Sequence, residues 1–215
     1  MTEFQPSDLP RIIELPLWRV DATAKEIAEI CRKAREQKLY SVCVASSRVE
    51  LAASLLDESE VKVTALVGFS GSEEGDVKRY ETEIAIDYGA QEIEVCLNVG
   101  KLKDGNRQYV LRELRDVAEA ADERIVKVEI RPKLLTRDEI KLACELIIDS
   151  GAHFVSAKYI TTPSIEDIQA CREAVGPQFG IKAGAEILET NEALALVAAG
   201  ATRLSAANGA PPLSE

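Results

Sequence analysis

The sequence has little of what zinc-binding and nucleic-acid-binding proteins need. It contains one histidine and five cysteines, and no two cysteines form a C-x-x-C pair, so a zinc site is poorly supported. Acidic residues outnumber basic ones by 37 to 26, which gives a formal net charge of −11. This balance argues against a nucleic-acid-binding face, because phosphate contacts need clustered basic residues. Small molecules are therefore the expected partners.

Long apolar segments are missing as well. No stretch approaches the roughly 20 apolar residues that span a bilayer. The first ten residues, MTEFQPSDLP, lack the apolar core of a secretion signal. An odd number of scattered cysteines fits a reducing compartment. We therefore expect a cytoplasmic protein that makes no membrane contact.

Short apolar runs alternate with amphipathic helical patterns from one end of the chain to the other. Eight runs, most of them rich in Val, Ile and Leu, are predicted to be strands of a parallel sheet covered on both faces: 12–18, 40–45, 61–68, 92–98, 125–131, 154–158, 179–184 and 203–206. Six stretches of helical period are predicted between them: 23–37, 77–88, 109–121, 137–149, 165–175 and 191–199.

The boundaries of these helices have the expected capping chemistry. Thr23 with Glu26, and Thr136 with Glu139, have the spacing of a capping box. Ser164 and a threonine at position 190 are predicted N-caps. Glycine ends three helical runs just before a strand, at positions 89, 151 and 200, as the left-handed C′ conformation favours.

Eight strands alternating with helices predict an α/β fold, a (β/α)8 TIM barrel that forms one domain over residues 1–215. A doubly wound open sheet is the competing architecture, but no G-x-G-x-x-G or P-loop motif is present. Only residues 208–215 remain after the eighth strand, and they include Pro211-Pro212. The final helix is therefore predicted to be short or missing.

Polar residues gather at the carboxyl ends of the predicted strands, where such barrels place their active sites. Arg48 follows the second strand, and Lys158 ends the sixth. Glu94 and Lys182 each interrupt an apolar run, and a buried charge is costly unless it is paired. Lys158 is either a lysine reaching solvent or a desolvated Schiff-base nucleophile. The buried charges predict either a structural ion-pair network or a proton-transfer set around an amine.

Several motifs resemble the deoxyribose-phosphate aldolase family, class I aldolases on a (β/α)8 barrel. The similar segments are DATAKEI (21–27), VCV (42–44), VKVTALVGF (61–69), YETEIAIDYGAQEIEV (80–95), NVGKLKDG (98–105), LLTRDEI (134–140), GAHFV (151–155), VGPQFGIKA (175–183) and AGATRL (199–204). The resemblance covers nearly the whole chain. It implies reversible aldol cleavage through a lysine Schiff base, without a metal or organic cofactor.

The resemblance also implies roles for individual residues. Lys182 matches the family's assisting lysine on the seventh strand, and Glu94 falls at its proton-transferring aspartate. The Schiff-base position is Ser156 here. Lys158, about 6.5 Å further along an extended strand, is the candidate nucleophile in its place, and Ser156 is expected to contact substrate.

The phosphate-binding pattern of the family is changed. Gly184, Asn208, Gly209 and Arg131 are the remaining candidates for substrate binding, whereas Glu186 adds a negative charge where a phosphate would bind. We therefore expect an altered aldehyde or sugar-like substrate and consider a homo-oligomer. The alternative is a barrel that has lost aldol chemistry and binds a small anionic metabolite or a partner protein.

Overall fold

Eight parallel strands form a closed barrel in the computed structural model, which describes residues 4–157, 163–185, 188–207 and 209. Each strand pairs with the next along the chain, and β8 pairs with β1. The strands are β1 Ile13–Leu17, β2 Ser41–Ala45, β3 Lys62–Val67, β4 Glu92–Cys96, β5 Ile125–Ile130, β6 Phe154–Ala157, β7 Gly180–Ala185 and β8 Arg203–Ala206. The predicted (β/α)8 barrel is confirmed, and no strand boundary differs by more than two residues.

The described part of the chain has helices in every connection between successive strands. They are α1 Ala24–Glu36, α2 Val49–Leu55, α3 Gly75–Asp87, α4 Val99–Lys103, α5 Arg107–Ala120, α6 Arg137–Asp149, α7 Ile165–Val175 and α8 Thr190–Ala198. All six predicted helices are present, and the short helices α2 and α4 are additional. None of these helices is both long enough and apolar enough to cross a membrane. The prediction for the end of the chain concerns residues 208–215, which lie outside the described ranges except for residue 209.

Side chains at the helix starts satisfy backbone N–H groups that have no partner within the helix. Capping boxes at Thr23 and Thr136 and the N-cap at Ser164 are confirmed. The predicted N-cap at Thr190 is wrong by one residue. Glu189 caps α8 through a capping box with Glu192, and Thr190 is the first helical residue. The backbone there is already helical at Thr190, so the capping position falls one residue earlier.

The alternation of side chains along the strands separates two interiors. Apolar residues such as Val42, Val44, Ile93 and Val95 pack outward against the helices and form the main hydrophobic core. Residues of the opposite parity point into the barrel, and many of these are charged. The strands thus surround a polar centre with an apolar shell. The polar centre holds the candidate active-site residues.

Candidate active site

Six charged side chains meet inside the barrel, and we call them the ion cluster. Each has a side-chain exposure of at most 10%. Five strands contribute them: Glu14 (β1), Glu92 and Glu94 (β4), Lys127 (β5), Lys182 (β7) and Arg203 (β8). The pairing of neighbouring strands brings them together. Glu94 lies beside Lys127, and Glu14 lies beside Ser205, which is on the same strand as Arg203.

Lys182 is held between two carboxylates. Its Nζ lies 2.6 Å from Glu14 Oε2 and 2.6 Å from Glu94 Oε2. Burial alone would lower the pKa of this lysine, but Glu14 and Glu94 outweigh that effect and raise the pKa above its usual value. The amine of Lys182 is therefore protonated at neutral pH. Lys182 acts through its positive charge.

Lys127 and Arg203 complete the cluster on the side towards the amino ends of the strands. Lys127 Nζ donates to Glu14 Oε1 at 2.7 Å, Glu92 Oε2 at 2.6 Å and Thr64 Oγ1 at 3.1 Å. The Arg203 guanidinium lies 3.5 Å from Glu14 Oε1 and stacks over the Tyr40 ring. Lys127 Nζ thus uses all three of its N–H donors, whereas Arg203 Nε has no hydrogen-bond partner among the described residues. The bonds of Lys127 make this part of the cluster structural.

The charges of the ion cluster balance. Three anions face three cations within the described part of the barrel. Burial alone would raise the pKa of Glu14, but Lys127 and Lys182 hold that pKa below its usual value. The sequence left open whether these charges form a structural network or a proton-transfer set. The ion pairs of such a network are present, and Glu94 adds a link to an uncharged residue. Proton transfer at this carboxylate stays a prediction.

Glu94 connects the ion cluster to Ser156. The Ser156 hydroxyl donates to Glu94 Oε1 at 2.6 Å, while Lys182 and the Cys43 thiol, at 3.4 Å, donate to Oε2. Ser156 lies directly beside Lys182 in the register of β6 and β7. The predicted grouping of Glu94, Ser156 and Lys182 is therefore present. It joins a proton acceptor, a hydroxyl and a fixed positive charge at the barrel centre.

Glu129 and Arg131 lie further along β5, towards the carboxyl ends of the strands. Arg131 Nε donates to Glu129 Oε1 at 3.3 Å, and its terminal nitrogens donate to the backbone oxygens of Ser70 and Phe69 at 2.9 and 3.0 Å. Arg131, predicted to bind substrate, is thus bonded to the loop between β3 and α3. It fixes the position of that loop above the barrel.

The remaining predicted site residues are only partly described. Gly184 lies on β7 beside Ser205 and belongs to the barrel mouth. Gly209 donates its N–H to the Ala206 carbonyl, and a Cβ at this position would meet Gln37, the residue after α1. Lys158, Asn208 and Glu186 fall outside the described residues. The proposed nucleophile therefore stays a prediction.

Four members of the ion cluster were not predicted as site residues from the sequence: Glu14, Glu92, Lys127 and Arg203. Two of them had a signal in the sequence. Glu14 stands alone in the apolar run Ile12 to Leu17, the same pattern that singled out Glu94 and Lys182. Arg203 follows the glycine-terminated helix before β8, where a buried arginine is unusual.

Two carboxylates of the ion cluster and a neighbouring thiol have the composition of a metal site. Ligand atoms of Glu14, Cys43 and Glu94 all lie within 4.8 Å of one another. Both carboxylates bond to the Lys182 ammonium, which provides the positive charge that a metal ion would bring. A metal would have to compete with that ammonium for the same oxygen atoms.

Known proteins share this arrangement of strands and much of the sequence. A family model described as DeoC/LacD family aldolase matches residues 16–210. The deoxyribose-phosphate aldolase of Alkaliphilus oremlandii is 41% identical over 204 residues, which cover 93% of this chain and 92% of the relative. That of Exiguobacterium sibiricum is 41% identical over 207 residues, covering 94% of each.

Solved structures agree with the fold. A protein described as QR15, an aldolase, has a TM-score of 0.89 and 28% identity, covering 94% of this chain and 92% of the other. A tetrameric deoxyribose phosphate aldolase from Aeropyrum pernix has a TM-score of 0.88 at 21% identity, covering 95% and 89%. The predicted resemblance is confirmed: this chain belongs to the DeoC/LacD aldolase family.

Proposed function

We propose that this protein is a class I aldolase that cleaves and forms a carbon–carbon bond next to an aldehyde through a lysine Schiff base. The observation that supports it best is the hydrogen-bonded set of Ser156, Glu94 and Lys182 at the barrel centre. The relatives at about 41% identity are called deoxyribose-phosphate aldolases. An aldehyde or sugar-like substrate is therefore proposed for this chain, with the phosphorylated deoxysugar as the first compound to test.

The amine nucleophile is proposed to be Lys158. Lys182 is held protonated by two carboxylates, and a protonated amine has no lone pair with which to attack a carbonyl. Lys158 follows Ser156 by two residues, next to the position that the family fills with its Schiff-base lysine. Its amine would add to the carbonyl carbon, and loss of water would leave an iminium that withdraws electrons from the bond being cleaved.

Proton transfer is proposed to pass through Glu94 and Ser156. Glu94 is both a hydrogen-bond acceptor for Ser156 and an ion-pair partner of Lys182, so it can accept a proton on one oxygen while the other stays bonded. The proton that Glu94 accepts when the amine adds can then be donated to the hydroxyl group that leaves as water. The Lys182 ammonium remains 2.6 Å from the other oxygen of this carboxylate.

Chemical trapping tests this proposal. The protein is incubated with acetaldehyde or 2-deoxyribose 5-phosphate, reduced with borohydride, digested and analysed by mass spectrometry. We expect an adduct on Lys158 that is lost in Lys158→Met and kept in Lys133→Met, a lysine of the exposed turn before α6. An adduct on Lys182 would overturn the assignment of the nucleophile, and no adduct on any lysine would overturn the aldolase proposal.

Self-association is a further part of the proposal. The Aeropyrum pernix relative is described as a tetramer, and apolar side chains are exposed on the outer face of α3 of this chain. We propose a homo-oligomer that uses this face.

A further inference from the structure

A recess opens at the mouth of the barrel, where β1, β2 and β3 end. It has a volume of about 280 Å3 and is formed by the segments that follow these strands. Trp18, Ala45, Leu66, Phe69 and Arg48 are among the residues that surround it. We call this recess the β1–β3 pocket. It lies on the face of the barrel to which the strands direct their carboxyl ends, so a substrate can reach it from the barrel centre.

The pocket is one layer of side chains away from Glu94. Trp18 and Leu66 pack against Cys43 and Cys96 in a small apolar cluster. The Cys43 thiol in turn contacts Glu94. Ala45, which contributes to the pocket wall, is two residues beyond Cys43 on β2, a distance of about 6.6 Å. The pocket is therefore within reach of the far end of a small molecule that reacts near Glu94.

An aromatic surface forms one wall of the pocket. The rings of Trp18 and Phe69 have their centroids 5.5 Å apart and are tilted by 54°. Phe69 is 46% exposed, and its carbonyl is held by Arg131. The Phe69 ring is thus exposed while its backbone is held by Arg131. Such a ring is suited to pack against a flat or apolar part of a ligand.

Arg48 is the cation of this pocket with donors to spare. It is half-buried and makes one hydrogen bond, to the Ala22 carbonyl at 2.8 Å, and no ion pair with any residue of the described ranges. Arg19 is bonded to Asp21 and Glu26. The Glu81 carboxylate accepts from Ser46 and from the Gly68 N–H. A guanidinium has five N–H donors, so Arg48 retains several for an incoming anion.

We propose that the β1–β3 pocket binds the non-reacting part of the substrate, with an apolar or aromatic body against Trp18 and Phe69 and an anionic group on Arg48. This inference rests on the proposed aldolase function, for which it defines the class of aldehyde. It also offers an anion site on the side of the mouth away from β7. There the sequence has Glu186 in place of the glycine that the family resemblance implies.

Trp18 provides a direct measurement, because it is the only tryptophan of the chain. Its fluorescence is titrated with phenyl phosphate, phenylacetate and the uncharged benzyl alcohol. We expect all three to change the emission, and at least one of the anions to bind about tenfold more tightly than the alcohol, since a charge-assisted hydrogen bond contributes at least this factor. The anion that binds more tightly identifies whether phosphate or carboxylate is preferred.

Variants of Arg48 assign the charge effect. Arg48→Met is expected to weaken binding of the preferred anion about tenfold and to leave benzyl alcohol within twofold. Arg48→Lys keeps a charge and retains part of the preference. Arg32→Met, an exposed arginine of α1 paired with Glu36, serves as the matched control and should change neither. Thermal unfolding followed by the same fluorescence establishes that each variant is folded, and Arg48→Lys replaces Arg48→Met if the latter is not.

Two outcomes would overturn the inference: equal affinities of the unmodified protein for anions and alcohol, or an Arg48→Met protein that binds anions as well as before. Neither depends on turnover. Failure of the aldolase proposal, seen as absence of a trapped adduct, is therefore distinguishable from failure of the pocket assignment. If both hold, the KM for anionic acceptor aldehydes rises about tenfold in Arg48→Met, while the KM for uncharged acceptors and kcat stay within twofold.

Discussion

Ser156 is a neutral residue at a position surrounded by compensated charges. Its hydroxyl bonds to Glu94, and its strand neighbour Lys182 bonds to the other oxygen of the same carboxylate. A cation added at this position would join a cluster in which the described charges already balance. The cations would then outnumber the anions, so the pKa of the added amine would fall below that of an ordinary lysine.

Ser156→Lys is expected to create a reactive amine beside Glu94. Because Lys182 lies beside position 156, we expect the introduced lysine to be partly neutral near pH 7 and able to attack an aldehyde. We expect cleavage of 2-deoxyribose 5-phosphate at least about tenfold faster than in Ser156→Met, which adds similar volume without an amine. Borohydride trapping should place the adduct at position 156. A rate no higher than that of Ser156→Met would contradict this expectation.

At the residue scale, the sequence predicted the site where one charged residue interrupts an apolar run. Lys182 and Glu94 were found in this way, and the structure places them 2.6 Å apart. Glu14 has the same pattern and was not predicted; its partners Lys182 and Arg203 lie 168 and 189 positions away along the chain. The β1–β3 pocket was not predictable, since Trp18, Leu66 and Phe69 belong to separate segments that meet only in the folded barrel.

At the scale of elements, α3 anchors the loop that carries Phe69. Lys78 on α3 is fully buried and donates to Gly71 O, Cys96 O and Glu113 Oε1, each at 2.9 Å. It thereby joins the β3–α3 loop, the end of β4 and α5. Gly68 has a φ of 60°, and a Cβ there would lie 2.7 Å from the Lys78 side chain, so the loop and the lysine are packed without room for substitution.

Lys78→Met is expected to destabilise the protein by about 3–5 kcal/mol, because it leaves the buried Glu113 carboxylate without its counter-charge. Arg79→Met, at the next position of the same helix, removes an exposed i,i+4 pair with Glu83 and should cost less than about 0.5 kcal/mol. Urea unfolding at pH 7 measures both. Equal losses for the two variants would show that the Lys78 contacts contribute little.

The elements that sequence patterns missed are the short ones. The helix α2 has seven residues, and its N-cap Arg48 makes no side-chain capping bond, while α4 has only five residues. Periodicity needs two or more turns to be recognisable, so such pieces leave little signal. Long helices with a capping box at their start, such as α6, were predicted to the residue because the local pattern and the cap agree.

At the scale of the whole molecule, the ion cluster makes stability depend on pH. The pKa of Glu14 is held below its usual value in the folded protein, whereas the unfolded chain has the ordinary value of about 4.3. The unfolded state therefore binds more protons as the solution is acidified. The contribution of Glu14 is fully present above about pH 4.3 and is lost as the pH falls towards the folded pKa.

Glu14→Gln is expected to weaken the acid dependence of stability. The free energy of unfolding of the unmodified protein should fall below pH 5 more steeply than that of the variant, by at most about 1.4 kcal/mol per pH unit for one proton. The variant should also be less stable at pH 7, because Lys127 and Lys182 lose a shared carboxylate. Urea unfolding at several pH values between 3.5 and 7 tests both. Parallel pH profiles would show that Glu14 is not the group responsible.

Exposed apolar residues on α3 predict how copies of the chain associate. Val77, Tyr80 and Tyr88, the residue that follows the helix, are exposed on one face, and Tyr80 is 61% exposed. Ile84 lies on the same face and is half-buried. A contiguous apolar stripe on a surface helix is typical of an interface. Light scattering should show a homo-oligomer whose mass falls in Tyr80→Glu and not in Ile148→Glu, an exposed position on α6. A monomeric unmodified protein, or dissociation by Ile148→Glu alone, would contradict this assignment.

The closed barrel was the most predictable feature of the molecule. Alternating strand and helix patterns repeat along the chain, and the short helix-to-strand joins at Gly89, Gly151 and Gly200 limit how successive units can be connected. The closure itself depends on side chains from the two ends of the chain, whose partnership no local pattern expresses.

That closure has a consequence for the order of events in folding. β1 meets β8 through Ile13 with Leu204 and Glu14 with Ser205. The bonds from Glu14 to Lys182 and Arg203 join residues 168 and 189 positions apart. Without β8 the ring would be open beside Glu14, and water could reach its carboxylate. We therefore expect the charges to lose their water when the ring closes, in a single late step. A circular permutant that joins the original termini would turn this most distant contact into a local one.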